Sequence, residues 1–236
     1  MSHLNHIAPG LNAYTLTFKD GLLEELREAY QTVVSQRLEA AWLLGGESRS
    51  GRIDHEDFSF FVTSHGTSPL IWVSSHNAYT HGIFQRFFES LQIVDGVKQL
   101  VDYDTRIVVY CGFFVMGNYA SEEKWHVDYQ TGSNAFTLLT PLFEPDESHG
   151  DLLYYNQNSE VAKYEYRVQE AILFGDDFYH STETYSRTDN IRVLLSLTLG
   201  TDKLKYWPKL EKTVGHQSEF VILPCGDQRG TCDHLG

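Results

Sequence analysis

The pattern of apolar and polar positions changes at about residue 105. Before it, apolar residues recur every three or four positions between Asp20 and Leu44, with acidic and basic residues on the opposite side. This spacing predicts an amphipathic helix, and a similar rhythm predicts a second helix over 76–92. Short apolar runs predict strands over 58–63 and 70–73, and the polar, glycine-containing stretch 47–57 predicts a loop.

From Arg106 onward, the chain consists of short runs rich in β-branched and aromatic residues, separated by turn-forming residues. This texture is typical of a sandwich, barrel or jelly roll. The predicted strands lie at about 107–116, 124–129, 135–142, 151–156, 163–168, 171–174, 178–185 and 191–199. We expect the tail after residue 200 to wrap around the outside of this β core.

Length and composition fit a single globular domain. The chain has 236 residues, of which 42% are hydrophobic, enough to bury a sizeable core. We predict one domain over 1–236, with a helix and strand region at 1–104, a β core at 105–200 and a tail at 201–236.

Charge and cysteine content narrow the possible partners. With 18 Lys and Arg against 32 Asp and Glu, the net charge of −14 disfavours binding to nucleic acid or to an anionic membrane. The 3 cysteines are few and odd in number, which favours a reducing compartment. The start of the sequence lacks a secretory signal pattern, and the apolar run 107–116 is too short to span a membrane. We therefore expect a soluble, cytoplasmic protein.

The candidate chemistry centres on two histidines and one carboxylate. His126 and Asp128 lie two residues apart in the predicted strand 124–129, so alternation along the strand directs both side chains to one face. His180, in the predicted strand 178–185, is the candidate for a third ligand. Two histidines and one carboxylate on one face of a metal are typical of non-haem iron(II) sites with open positions.

The last predicted strand offers a site for a carboxylate. Arg192 and Ser196 share one mixed face of strand 191–199, whereas the other face is purely aliphatic. A guanidinium binds a carboxylate through a planar fork of donors. Arg187 is an alternative, but it lies in the polar stretch 186–190, so we favour Arg192.

These motifs together resemble a known family. The order of His-x-Asp, a second histidine 54 residues later (180 − 126) and an arginine on the last strand is similar to the Fe(II)/2-oxoglutarate-dependent oxygenases. The resemblance covers about residues 106–200 and is closest to the prolyl-hydroxylase-like branch. It implies a mainly β (α+β) fold, a double-stranded β-helix (jelly roll, cupin-like) with N-terminal helices packed outside.

The resemblance also implies a set of site residues and cofactors. His126, Asp128 and His180 would bind Fe(II), and Arg192 with Ser196 would bind the far carboxylate of the co-substrate 2-oxoglutarate. Such an enzyme uses O2, releases succinate and CO2, and usually hydroxylates its substrate. Tyr110 and Tyr119 are both available for the tyrosine that often assists 2-oxoglutarate binding in this family.

The substrate class stays open among an amino acid, a peptide side chain and a small metabolite, and no motif indicates the oligomeric state. Two other functions share the jelly roll: a cupin-type metal dioxygenase or isomerase without 2-oxoglutarate, and a non-catalytic binding module. Arg192 and Ser196 favour the 2-oxoglutarate-dependent oxygenase over the cupin-type enzyme. The remaining histidines, His81 among them, are expected at the surface, and Cys225, Cys232 and His234 match no standard zinc spacing.

Overall fold

A computed structural model describes residues 3–46, 50–65 and 68–232. Its strands form a nine-stranded sheet, in the order β1-β2-β10-β7-β12-β6-β5-β4-β3, and a three-stranded sheet, in the order β11-β8-β9. Neighbouring strands are antiparallel throughout. The strands are β1 (Asn5–His6), β2 (Ala13–Thr17), β3 (Gly51–Asp54), β4 (Phe58–His65), β5 (Ser68–Ser75), β6 (Val108–Gly117), β7 (Ala135–Pro141), β8 (Leu152–Tyr155), β9 (Val161–Tyr164), β10 (Glu170–Gly175), β11 (His180–Thr182) and β12 (Arg192–Gly200).

The helices lie mainly before the β core. The α-helices are α1 (Glu24–Ala29), α2 (Leu38–Gly46), α3 (Ala78–Ser90), α4 (Val94–Lys98) and α5 (Trp207–Gln217). Short 3-10 and π segments (Asp20–Leu23, Tyr30–Val34 and Ser35–Arg37) join α1 and α2 into one helical run over 20–46, and a further 3-10 turn, Leu204–Tyr206, precedes α5. No helix in the described part of the chain is long and apolar enough to cross a membrane.

One face of the large sheet packs against the N-terminal helices. The aliphatic face of β12 contributes Leu195, Leu197 and Leu199 to this core, where they meet apolar residues of α1 and α3. The contact with α3 is close: a Cβ added at Gly112 of β6 would lie 2.3 Å from the Phe84 ring. The helices therefore lie outside the sheet, as expected.

The opposite face of the large sheet packs against the small sheet. This second core joins apolar residues of β6, β7, β10 and β12 to residues of β8, β9 and α5. A cavity opens between the two sheets, and residues of β6, β7, β10, β11 and β12 line it. Strands of both sheets, together with the connecting segments that carry Tyr119, His126 and Tyr185, enclose any ligand held in this cavity.

The β core agrees with the pattern of the sequence at most positions. Strands predicted over 107–116, 135–142, 151–156, 171–174 and 191–199 are confirmed with ends shifted by one or two residues, and the predicted helix over 76–92 corresponds to α3. The predicted loop 47–57 is wrong over Gly51–Asp54, which forms β3, whereas 47–49 lies outside the described residues. The sequence pattern also missed β1, β2 and α5. Both strands are short; β1 pairs with β2, and β2 pairs with the distant β10.

Candidate metal centre

Three possible metal ligands meet at the mouth of the cavity. His126 Nε2 and His180 Nε2 each lie 3.5 Å from Asp128 Oδ1. The ligand atoms of the three residues all fall within 4.8 Å of one another. The structure therefore brings together the two histidines and the carboxylate that the sequence singled out.

Both imidazoles have the same orientation and tautomer. His126 Nδ1 donates to the Lys124 carbonyl at 2.8 Å, and His180 Nδ1 donates to the Phe178 carbonyl at 3.0 Å. Since a carbonyl oxygen only accepts, the proton of each neutral ring is on Nδ1. Each Nε2 therefore carries the lone pair that a metal requires, and it faces Asp128.

The backbone around the first histidine differs from the prediction. No regular strand forms over 124–129; the chain makes a single antiparallel bridge in which His126 and His180 exchange two backbone hydrogen bonds of 2.9 Å. Beyond the bridge, α5 engages the chain: Thr213 Oγ1 donates to the Asp128 carbonyl at 3.0 Å, and Lys209 Nζ to the Thr131 carbonyl at 2.9 Å. The Thr213 hydroxyl thus occupies a carbonyl within the predicted strand, and the Lys209 ammonium occupies one just beyond it.

Asp128 is oriented from behind by hydroxyl groups. Thr137 Oγ1, on β7, donates to Asp128 Oδ2 at 2.5 Å. Tyr129 Oη lies 2.7 Å from Thr137 Oγ1 and 3.1 Å from Thr198 Oγ1, so the three hydroxyl groups form one network. Burial acts to raise the pKa of Asp128, but His180, His126 and Thr137 outweigh it and hold the pKa at about 2. The carboxylate is ionised at neutral pH.

The two histidines differ in electrostatics and exposure. Burial lowers the pKa of His180, although Asp128 opposes the shift. Burial also acts to lower the pKa of His126, but the hydrogen bond and charge of Asp128 outweigh it and raise the pKa. The His126 side chain is 45% exposed and that of His180 is 7% exposed. One imidazole therefore lies deep in the protein and the other at the surface.

A buried guanidinium lies in the same cavity. Arg192 is 7% exposed, and its Nη1 donates to the Gly150 carbonyl at 2.5 Å. The guanidinium carbon lies 5.8 Å from the centre of the Tyr166 ring and 5.4 Å from that of Tyr185. Arg192 Nε has no hydrogen-bond partner in the structure, and no carboxylate among the described residues forms an ion pair with it. Ser196, also buried, lines the same cavity.

The structure separates the residues that the sequence left as alternatives for binding 2-oxoglutarate, one arginine and two tyrosines. Arg187 is exposed, does not line the cavity, and stacks on Tyr119, 4.7 Å from the ring centre. Tyr119 lines the cavity, whereas Tyr110 is buried elsewhere and donates to the Thr201 carbonyl at 2.6 Å.

Sequence reasoning missed several residues of the cavity wall, namely Trp72, Thr137, Leu152, Tyr166 and Tyr185. They lie on different elements and carry no spacing motif. Alternation along β7 was the one signal available, since Thr137 and Leu139 share the face toward the cavity.

Comparison with known proteins gives similarity of structure but not of sequence. No protein-family model matches the chain, and no curated protein matches it in sequence. Among solved structures, AviO1 from Streptomyces viridochromogenes superposes with a TM-score of 0.55 at 10% identity, over 80% of this chain and 90% of that one.

Two further similar structures are those of enzymes with a stated activity. The non-haem α-ketoglutarate-dependent epimerase SnoN, from nogalamycin biosynthesis, gives a TM-score of 0.51 at 11% identity, covering 81% of this chain and 77% of that one. A prolyl-4-hydroxylase from Pseudomonas putida gives 0.50 at 11% identity, covering 81% and 94%. At such identities the similarity establishes the fold alone. The chain therefore has the double-stranded β-helix fold of the 2-oxoglutarate-dependent oxygenases, the fold that its motifs predicted.

Proposed function

We propose that this protein is an Fe(II)- and 2-oxoglutarate-dependent oxygenase. The observation that carries the proposal is the presence, in one cavity, of a His-Asp-His cluster and a buried, unpaired guanidinium. Fe(II) with 2-oxoglutarate supplies the chemistry: O2 is reduced, 2-oxoglutarate is cleaved to succinate and CO2, and the substrate is oxidised.

The cluster suits iron(II) by the chemistry of its donors. Two neutral imidazoles and one carboxylate on one side leave the opposite positions of a metal open for co-substrates. The hydrogen bonds of each Nδ1 to a carbonyl fix both rings with Nε2 toward Asp128. The Thr137 hydroxyl holds the second oxygen of Asp128, which leaves Oδ1 directed toward both Nε2 atoms.

The guanidinium suits a dicarboxylate. A buried cation without an anionic partner is costly, so an anion is expected to complete the site around Arg192. The Nε proton is available for a charge-assisted hydrogen bond, and Ser196 lines the same wall. The guanidinium lies over the rings of Tyr166 and Tyr185, and these cation–π contacts stabilise it. Under this proposal Arg192 rather than Arg187 binds the far carboxylate of 2-oxoglutarate.

The substrate is proposed as an amino acid, a peptide side chain or a small metabolite, and hydroxylation as the outcome. The structural neighbours include both a prolyl-4-hydroxylase and an α-ketoglutarate-dependent epimerase. They support the co-substrate class and leave the oxidative outcome to be measured on this chain.

An anaerobic spectroscopic titration tests the proposal. Fe(II) and 2-oxoglutarate added to the protein should give a weak visible charge-transfer band, and Asp128→Ala should abolish it. Circular dichroism checks that the variant is folded. A wild-type protein that is folded and binds Fe(II) but gives no band would refute a 2-oxoglutarate site.

Arg192 and Arg187 allow a controlled test of 2-oxoglutarate binding, with Arg187 as the control. Arg192→Ala should weaken 2-oxoglutarate binding by roughly tenfold or more, since a charge-assisted hydrogen bond contributes about 1.5–3 kcal/mol. Arg187→Ala removes a guanidinium of the same chemistry outside the cavity and should leave the affinity unchanged. Isothermal titration of the Fe(II)-loaded protein measures both, and unchanged affinity in Arg192→Ala would contradict this assignment.

A further inference from the structure

A second group of reactive side chains lies in the C-terminal tail, away from the cavity. Cys225 Sγ and Cys232 Sγ are 3.1 Å apart, and Asp227 Oδ2 lies 3.5 Å from Cys225 Sγ. Both cysteines are partly exposed, whereas the third, Cys111, is fully buried in β6. Neither tail cysteine lines the cavity that holds the metal centre.

Backbone hydrogen bonds form the tail into two consecutive turns that bring the two thiols together. Leu223 N donates to the Asp227 carbonyl and Gly226 N to the Leu223 carbonyl, each at 2.8 Å, which closes the first turn. Gly226 has a φ of +96°, a conformation that side-chain-bearing residues rarely adopt. Thr231 N donates to the Gln228 carbonyl at 3.0 Å and closes the second turn.

Two hydrogen bonds attach the first half of the segment 221–232 to β6 and to the residues just before it. Ile222 N donates to the Tyr110 carbonyl of β6 at 2.9 Å, and Arg106 Nη2 donates to the Cys225 carbonyl at 3.1 Å. Arg229 N donates a hydrogen bond to the Val221 carbonyl at 2.8 Å. A covalent link from Cys225 to Cys232 would therefore fasten the end of the tail to a segment already held on β6.

The distance between the sulfur atoms favours a disulfide over a metal. Two thiolates on one zinc ion, at about 2.3 Å each in tetrahedral geometry, lie about 3.8 Å apart. The observed 3.1 Å is shorter than that, and it exceeds the disulfide bond length of about 2.05 Å by about 1 Å. In the described part of the chain the group offers three ligands, one fewer than a structural zinc site uses.

We propose that Cys225 and Cys232 form a reversible intramolecular disulfide with a low-molecular-weight disulfide such as oxidised glutathione as the oxidant. One thiolate attacks a glutathione sulfur and displaces the first glutathione thiolate, which takes up a proton. The second cysteine loses its proton and attacks the mixed disulfide, releasing the second glutathione. Two protein thiols are oxidised, and one disulfide is reduced to two thiols.

The chemical environment sets the rate and the stability of this exchange. Burial, with contributions from Cys232 and Asp227, raises the pKa of Cys225 to about 11, so little thiolate is present at neutral pH. Exchange should therefore be slow and should accelerate as the pH rises. A thiol of high pKa is also a poor leaving group, so reduction of the disulfide should be slow as well.

Arg229 makes the test direct, because trypsin cleaves after it and separates the two cysteines into different peptides. The reduced full-length protein is equilibrated with oxidised glutathione, quenched with acid, denatured, alkylated with N-ethylmaleimide and digested without reductant. Mass spectrometry should find the peptides of Cys225 and Cys232 joined, with Cys111 alkylated. Undigested protein should be lighter by two hydrogen atoms and should show no disulfide between molecules on a non-reducing gel.

Variants distinguish the pair from general oxidation. Cys111→Ser should form the same link, whereas Cys225→Ser and Cys232→Ser should each form only a mixed disulfide with glutathione. The unfolding midpoint of the wild type should rise on oxidation, because the cross-link restricts the unfolded chain, and that of Cys225→Ser should not. Full alkylation of both tail cysteines, a link between two molecules, or one tightly held zinc ion that protects both thiols would overturn the proposal.

Discussion

The two histidines of the metal centre are alike in local geometry and unlike in their surroundings. Each donates Nδ1 to the carbonyl two residues before it, and the two rings lie 4.4 Å apart. His180, however, packs against Phe174 and Phe178, whereas the side chain of His126 is 45% exposed. The same hydrogen bond to the backbone thus orients one imidazole in the core and one at the surface.

Because of this difference, the two proposed metal ligands should contribute differently to the stability of the protein. His180 belongs both to the core and to the site, so its loss affects stability as well as metal binding. His126 borders the opening of the cavity, where a substrate would approach. A site that is buried on the side of His180 and open on the side of His126 can hold a metal and still admit a substrate.

Substituting each histidine in turn tests this difference and should give the largest effects. His126→Ala and His180→Ala should both weaken Fe(II) binding by roughly a hundredfold or more, beyond the 10–100-fold range for loss of an outer partner. Without metal, His180→Ala should lose about 2 kcal/mol of unfolding free energy, because a buried ring is removed, and His126→Ala less than about 1 kcal/mol. Anaerobic chelator competition and urea unfolding measure the two quantities.

His149→Ala serves as the control, since His149 Nε2 lies 3.0 Å from the Asn190 carbonyl, outside the cavity. It should leave Fe(II) affinity unchanged. Equal losses of stability in His126→Ala and His180→Ala would show that the contrast in burial has no energetic consequence.

A third histidine extends the comparison. His81 was expected at the surface, but it is 4% exposed, stacks on Phe220, and has no hydrogen-bond partner at either ring nitrogen in the structure. Burial lowers its pKa from the usual 6.5 to about 4. Between these values the unfolded chain binds the additional proton, so stability is complete above about pH 6.5 and is lost as the pH falls toward 4.

The loss should amount to about 3 kcal/mol, since one pKa unit corresponds to about 1.36 kcal/mol. Unfolding free energies measured from pH 7 to pH 4 should show this slope in the wild type and a smaller one in His81→Leu. An identical slope in the variant would assign the acid sensitivity to other groups.

The hydroxyl behind Asp128 should give the smallest effect. Thr137→Val removes the donor to Asp128 Oδ2 while keeping the shape of the side chain, and Fe(II) affinity should fall by about tenfold. Thr198→Val removes a hydroxyl of the same network that does not touch Asp128, and its effect should be well below that. Competition titration measures both, and an equal loss in the two variants would argue against a specific role for Thr137.

The alternation of apolar and polar residues along the chain predicted those features that depend on neighbouring residues in the sequence. Alternation along β12 separated the cavity face of Arg192 and Ser196 from the aliphatic core face, because one strand buried on both sides carries both signals. His126 and Asp128 were found through their spacing, although the predicted strand around them was wrong. Their convergence depends on one backbone bridge and on Thr213, which is distant in sequence.

The cavity walls could not be predicted in the same way. Tyr166 and Tyr185 flank Arg192 from segments on either side of β10 and β11, and Trp72 comes from a strand before the β core. Such contacts arise from tertiary packing, which has no period in the sequence. The burial of His81 was missed for a similar reason, since it depends on the tail residue Phe220 covering α3.

The bridge between His126 and His180 has a consequence for how an ion would be acquired. Because the two amides and two carbonyls bond reciprocally at 2.9 Å, the main chain sets the bite of the chelate before any ion arrives. Binding then requires little ordering of the chain, unlike small domains that fold only around their metal. Loading and removal of the ion should leave the fold intact. The choice between metals then depends on the geometry of the ligands and on which metals are available in the cell.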